Sequence, residues 1–445
     1  MNAKWLSALT LIVVMCGASL RVDADAKNGE DYCFEAMLKL RQYYHNSKAL
    51  NEVKLLDAGL EGVRVLLRKH GVVWAEPGIH PSNTATTARL QFVAKMRAAI
   101  ARGADCGATK EAIAFAAASA LVAAVRSSHC VLLSASDTER WLRYNDGFTR
   151  YGGIGATLVT IDGMPFLMNV LPGGAAAGSG IAELDRVVEV NGEVVASVAQ
   201  AKRLLYGASG TVRVRVMRKF VSYDCVIHRS GDYGTDAWVA LQHVTRGTKR
   251  MSVMRLRAFT MNDATIVETM RRAIANDKLD GIVIDLRANP GGSGAIVGEL
   301  ASLFLEEGKP IFVGACPSRN ETAVIVTTVA ARGGAAPSKI PLRILVGPGT
   351  HCAAEIFAYA MQQYGRARLI GALTPGTVEG RDDIHLESGP MLCVGITSIV
   401  MMDRVVLEGR GVRPDCFVPL RAHDALQGRD SQLEAALDEL TRECK

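Results

Sequence analysis

Cys352 carries the most chemical promise in this chain of 445 residues. It falls between an apolar run, Leu342–Val346, that reads as a buried strand, and a stretch of helical spacing, Ala353–Tyr364. A thiol at the start of a helix feels the positive end of the helix dipole, which lowers its pKa and favours the nucleophilic thiolate. Cysteine arithmetic points the same way. Of ten cysteines, Cys16 lies in an apolar amino-terminal segment, and the nine that follow cannot all pair. Up to four disulfides are possible, and at least one thiol is left over. Cys130, directly after His129, is the competing reactive thiol. A zinc site built from His351, Cys352, His129 and Cys130 lacks the paired Cys-x-x-Cys or His-x-x-x-His spacing that such sites show. No metal or organic cofactor is indicated.

The elements that must position these groups change character along the chain. Residues 33–70 and 87–126 carry apolar residues at helical spacing, the second ending in an Ala-rich helix, Ala112–Val125, before Ser127-Ser128-His129. From Gly152 the pattern becomes short β-type runs: Ala156–Ile161, Phe166–Leu171, Val187–Val190 and Thr211–Val216, with one helix, Val198–Tyr206. From about Ser252, helices Asp263–Ala275, Ala295–Glu306 and Ala353–Tyr364 alternate with strands Gly281–Leu286 and Leu342–Val346. Such alternation implies βαβ units on a largely parallel sheet, whose catalytic groups gather at the carboxyl ends of strands. Residues after Leu420 read as a short polar helix and tail.

Four segments, in this order along the chain, resemble the C-terminal processing (tail-specific) peptidases over roughly residues 110–418. Gly153-Ile154-Gly155-Ala156, Leu171-Pro172-Gly173-Gly174 and Asp185–Gly192 resemble a PDZ domain, whose glycine turn captures a peptide carboxylate while the peptide adds to a sheet edge. Gly281–Gly292 and Gly349–Ala358 are similar to the family's glycine turn and nucleophile turn, with Cys352 where the family keeps serine. Glycine lets backbone approach a carbonyl closely, so Gly291 or Gly292 is one expected oxyanion donor and the N–H of Ala353 the other. The family's serine–lysine branch places its lysine roughly 25 residues beyond the nucleophile, but Ile340–Cys444 contains none and Thr374-Pro375-Gly376-Thr377 stands there. The resemblance is therefore to the tricorn-type branch. His129, with Ser128 before it, and Glu408 in Glu408-Gly409-Arg410-Gly411-Val412-Arg413-Pro414-Asp415 match its histidine and glutamate stretches. By that resemblance His129 takes the proton of Cys352 and Glu408 orients the imidazole. Glu355, one turn beyond Cys352, is expected to cap locally, Glu379 to sit in a Gly-rich turn, and His45, His243 and His385 to lie at the surface or in the core.

The implied fold is a multidomain α/β chain: signal peptide 1–26, helical region 27–150, PDZ domain 151–232, a β/α core of ClpP/crotonase-like type over 233–420, and a C-terminal helix and tail, 421–445. Lys4, the apolar run Leu6–Met15 and Ala24-Asp25-Ala26 carry the signal-peptide reading, hence a secreted, secretory-pathway or periplasmic protein without a stable membrane anchor. A net charge of +6 with scattered basic residues speaks against nucleic acid as partner. Two classes of function follow: a peptidase acting on proteins with exposed C-termini through a Cys-His-Glu acyl-enzyme, or a catalytically silent protein of the same fold binding peptide or lipid. Asn320-Glu321-Thr322 is a sequon for glycosylation.

Overall fold

The computed structural model describes residues 29–139, 154–205, 210–229, 239–259, 263–276, 278–317, 324–332 and 336–443. The segment read as a signal peptide, Gly153 of the PDZ glycine turn and the Asn320 sequon lie outside the described residues.

Each stretch of amino-terminal helical spacing is broken once, giving helices Gly29–Tyr43, Glu52–Lys69, Ala85–Ala104 and Lys110–Ala123. Caps explain three of the starts: the side chains of Asn51, Thr84 and Thr109 each accept the amide three residues on, at 3.1, 3.2 and 3.1 Å. The buried faces of these helices share one core with Cys130, Leu132, Leu392 and Val394. The last two belong to strand Met391–Met401, at the centre of a five-stranded sheet that also holds Val131–Leu133, Glu379–His385, Pro310–Pro317 and Val324–Ala330. The turn that carries His129 is thereby clamped between helix Lys110–Ala123 and strand Val131–Leu133.

A second sheet runs in the order Cys416–Phe417, Arg368–Gly371, Leu342–Val346, Gly281–Asp285, Lys249–Leu256, Val239–Arg246. All neighbours are parallel except the last pair, a hairpin. The carboxyl ends of four parallel strands therefore feed Phe259, Gly291-Gly292, Cys352 and Thr374–Thr377 to one edge. Between the two sheets lies the largest apolar core, which includes Phe259 and Phe357 in edge-to-face contact.

The middle region is an antiparallel sheet, Thr157–Ile161, Met164–Met168, Arg186–Val190, Gly210–Arg218 and Val221–Arg229, with helix Val198–Leu205 packed on it. Thr157–Ile161 pairs on one side alone among the described strands. Ile161, Phe166, Met168 and Leu184 pack on Ala288, Ala422, Ala425 and Leu426 of the core, so the small domain is seated beside the glycine turn at 289–292.

Three readings gain detail. Helix Ala295–Glu306 stops at Ala301, where the Ser302 hydroxyl donates to Glu299 O at 2.6 Å, and residues to Leu305 continue as buried turns. The eight cysteines among the described residues are all free thiols, so no disulfide forms between them. Beyond Leu420 there is no polar tail but two helices, Ala422–Leu426 and Ser431–Glu443. Ala436, Leu437 and Leu440 of the longer one fill the outer face of the parallel sheet against Met251, Val283 and Ile370. Charge was misleading there because Asp430, Glu439 and Glu443 pair inward, with Arg287 and Arg343. Leu440→Ala should therefore cost about 2–5 kcal/mol in urea unfolding, the range for a fully buried leucine, whereas a solvated tail would lose almost nothing.

Candidate active site

The chain turns from strand Leu342–Val346 into helix Ala353–Gln363 through a loop pinned by Thr350, whose hydroxyl donates to Leu286 O at 2.8 Å and accepts the amide of Gly347 at 3.0 Å. His351 N donates to Asn289 O at 2.9 Å, tying this turn to the neighbouring glycine turn. Cys352 is the N-cap residue, with φ at +51°. A side chain with positive φ is uncommon, and where the surroundings enforce it the site is often functional.

Glu355 holds that geometry. Fully buried, it accepts the Cys352 amide at 3.1 Å, the amides of Gly376 and Thr377 at 2.7 and 2.8 Å, and the hydroxyls of Thr374 and Thr377 at 2.5 and 3.2 Å. The expected local cap is thus also the anchor of the 374–377 loop. Thr374 in turn accepts the amide of Val412 at 2.7 Å, and Gly409 N donates to Gly376 O at 2.8 Å. Gly411 has φ at +70°, and a Cβ there would stand 1.9 Å from Thr374 O, so only glycine permits the two loops to interlock. Asp415 closes the segment by accepting the Leu369 amide at 2.7 Å. These contacts fix the backbone from which Glu408 projects.

The backbone N–H groups of Ala353 and Gly292 face the sulfur of Cys352 closely enough to favour its thiolate. Gly291 cannot join them, because its amide is spent on Asn289 Oδ1 at 2.8 Å. Its positive φ of +85° and the 2.7 Å that would separate a Cβ from that of Cys352 show why it must be glycine all the same. Gly292, at φ +135°, bridges to Phe259, whose carbonyl would lie 1.8 Å from any Cβ. Of the two glycines, Gly292 presents the free donor.

Burial pushes the Cys352 thiol up to about 11, against the two N–H groups and Arg381, which pull it down. The expected lowering by the helix end is overturned: desolvation of the thiolate outweighs it. At neutral pH the resting group is a thiol and needs a base.

His129 supplies a neutral imidazole, its pKa lowered to about 4 chiefly by burial and next by Arg381. Its Nδ1 lies 2.7 Å from the Ser128 hydroxyl, which donates to Glu408 Oε2 at 3.0 Å. Glu408 also accepts the amides of Ser128, at 3.2 Å, and Val378, at 2.5 Å. The glutamate therefore meets the imidazole through Ser128. Burial raises the Glu408 pKa, with Glu379 adding to it. Both Arg381 and the two catalytic candidates share one neighbourhood, yet no hydrogen bond joins the thiol to the imidazole in this arrangement.

Two groups were misread or missed. Glu379 begins a strand and does not sit in a turn: it is 4% exposed, accepts the Ser127 hydroxyl, and lies 2.9 Å from Nε2 of His45. Its position beside His129 and Glu408 makes it part of the site. His45, 334 residues earlier in sequence, carries no local signal that could have announced this contact. Cys130 is buried, its thiol pKa raised by desolvation, and it accepts the Gly395 amide at 3.5 Å within the helical core. His351 turns to Thr377 Oγ1 at 3.0 Å. In the small domain Ile154 and Ala156 are buried and Gly155 has φ +72°. The carbonyls of Ile154 and Gly155 accept Ala176 and Leu171 at 2.7 and 2.8 Å, shaping the glycine turn beside the edge strand.

Residues 250–418 match the model of peptidase family S41, and residues 144–217 that of the PDZ domain. The carboxy-terminal processing protease CtpA of Bacillus subtilis (strain 168) is 25% identical over 270 residues, 59% of this chain and 55% of that protein. The carboxyl-terminal-processing protease of Picosynechococcus sp. (strain ATCC 27264 / PCC 7002 / PR-6) is 27% identical over 61% of this chain and 66% of its own length. The chain thus spans little more than half of the Bacillus relative. Among solved structures, a photosystem II D1 C-terminal processing protease covers 93% of this chain and 98% of its own at TM-score 0.56 and 17% identity. A putative S41 protease from Bacteroides fragilis NCTC 9343 covers 91% and 96% at TM-score 0.55 and 14% identity. These two share its fold.

Proposed function

We propose that this chain is a peptidase of the S41 C-terminal processing family, a thiol endopeptidase that cuts proteins recognised by their C-terminal tails; the matches of residues 250–418 to the S41 model and of residues 144–217 to the PDZ model support this reading. The observation that carries this reading is the convergence of the Gly292 and Ala353 N–H groups on a helix-capping thiol, with a neutral imidazole on a fixed support nearby. In the proposed reaction His129 takes the proton of Cys352 as sulfur attacks the scissile carbonyl. The oxyanion forms between the N–H groups of Gly292 and Ala353. The imidazolium then gives its proton to the leaving amine, and water, activated by the same imidazole, hydrolyses the thioester. Ser128 and Glu408 hold the ring's orientation throughout. Thiol and imidazole must close up when substrate fills the cleft, as catalytic hydrogen bonds commonly do. The role of the PDZ domain is to bind a free carboxylate at Ile154–Ala156 while the tail pairs along Thr157–Ile161.

A second reading, a silent binding protein, draws on the high thiol pKa and the missing thiol–imidazole bond. Peptides with apolar C-termini, offered as free acids and as amides under mild reduction, separate the two. Faster cleavage of the free acid supports tail recognition by a peptidase. Tight binding of the free acid without cleavage supports the silent protein.

A further inference from the structure

One ring nitrogen of His129 and one carboxylate oxygen each from Glu379 and Glu408 lie within 4.8 Å of one another. They come from three distant segments: the turn before strand Val131–Leu133, the first residue of strand Glu379–His385 and the interlocked 407–412 loop. Among the described residues Glu379 has His45 Nε2 at 2.9 Å and the Ser127 hydroxyl as partners, Glu408 is held by Ser128 and the Val378 amide, and Arg381, which also faces His129, pairs with Asp383. Two carboxylates side by side, one of them almost wholly buried, are ordinarily matched by a cation.

We propose that His129, Glu379 and Glu408 form a binding site for a divalent transition ion of the Zn²⁺ class, and that the bound ion holds the enzyme inactive. One imidazole and two carboxylates are the donor types of open zinc sites, whereas calcium and magnesium prefer oxygen donors throughout. Ligand atoms about 2.0–2.2 Å from the ion stand roughly 3.4 Å apart in a tetrahedron, so the cluster needs about an ångström of side-chain closure. Outer partners are already in place: His45 and Ser127 on Glu379, and the amides of Ser128 and Val378 on Glu408. Such partners orient ligating groups and strengthen the site. The ion would take the imidazole and the glutamate that the proposed mechanism needs. Binding is independent of that mechanism; the inhibitory consequence rests on it.

The test is a Co²⁺ titration of the full chain followed by absorption spectroscopy, with Zn²⁺ competition. The expected result is saturable binding of one ion, with ligand-field bands and no thiolate-to-cobalt charge transfer. Cys352→Ala should leave that spectrum unchanged. Glu379→Gln should abolish it, and His45→Gln, an outer partner whose loss spares the buried carboxylate, should weaken binding roughly tenfold to a hundredfold. No saturable binding by wild type, a strong thiolate band, or binding that survives Glu379→Gln in a folded variant would each overturn the site. Zn²⁺ should stop peptide cleavage and a chelator restore it; cleavage untouched at saturating Zn²⁺ would overturn the inhibition. Absence of cleavage by ion-free protein would count against the peptidase reading, and the cobalt spectrum would still decide the site.

Discussion

Cys352→Ala is expected to lower peptide hydrolysis by about a millionfold, the scale on which removal of an attacking group acts, with about a thousandfold to ten-thousandfold over water remaining from oxyanion donors and substrate binding. The N–H groups of Gly292 and Ala353 do not depend on the side chain, so binding of peptide should survive. Cys352→Ser restores the atom type that the family keeps there and should recover part of the rate. The thiol also sets a pH signature. Because burial raises its pKa to about 11, the neutral form dominates below that value, and each pH unit from 7 to 9 should multiply the thiolate fraction, and the rate of alkylation by iodoacetamide, about tenfold. An alkylation rate already level at pH 7 would mean that the helix end had won over desolvation.

Glu355→Ala should be the most damaging change outside the reacting groups. It would strand the buried amide of Gly376 and the hydroxyl of Thr374, and release the amides of Cys352 and Thr377. Buried donors left without an acceptor cost about 1–3 kcal/mol each, so a loss of roughly 3–5 kcal/mol in urea unfolding is expected once partial relaxation is allowed. Activity should fall further than stability alone explains, because Glu355 fixes both the nucleophile turn and, through Thr374 and Val412, the loop that carries Glu408. Glu355→Gln keeps one acceptor oxygen and should sit between the two. A variant with wild-type stability and lost activity would instead point to a direct chemical role for the carboxylate.

What sequence could reveal follows the range of the interactions involved. Strand Leu342–Val346 and helix Ala353–Gln363 were legible because each buries a face with its own period, and Cys352 stood out as the residue joining them. The choice between Gly291 and Gly292 as proposed donor depends on Asn289, whose side chain turns back on the following loop and accepts the Gly291 amide. Glu379 and His45 were not legible. Nothing near His45 marks it, and Glu379 in Gly376–Gly380 looks like a turn until Met391–Met401 pairs with it in a sheet. The charges of helix Ser431–Glu443 hid its packing, since pairing with Arg287 and Arg343 is visible only in three dimensions. The direction of the Cys352 shift failed for a related reason: the dipole is a property of one helix, but desolvation is set by everything packed around it.

The most direct test of a thiol nucleophile served by His129 is to quench wild type and His129→Ala in acid during turnover and map covalent adducts by mass spectrometry. An acyl group, equal to the amino-terminal fragment of the substrate less water, is expected on the peptide containing Cys352 in wild type and not in His129→Ala. Cleavage that proceeds with Cys352 unmodified, or an adduct found on Cys130 instead, would contradict that expectation.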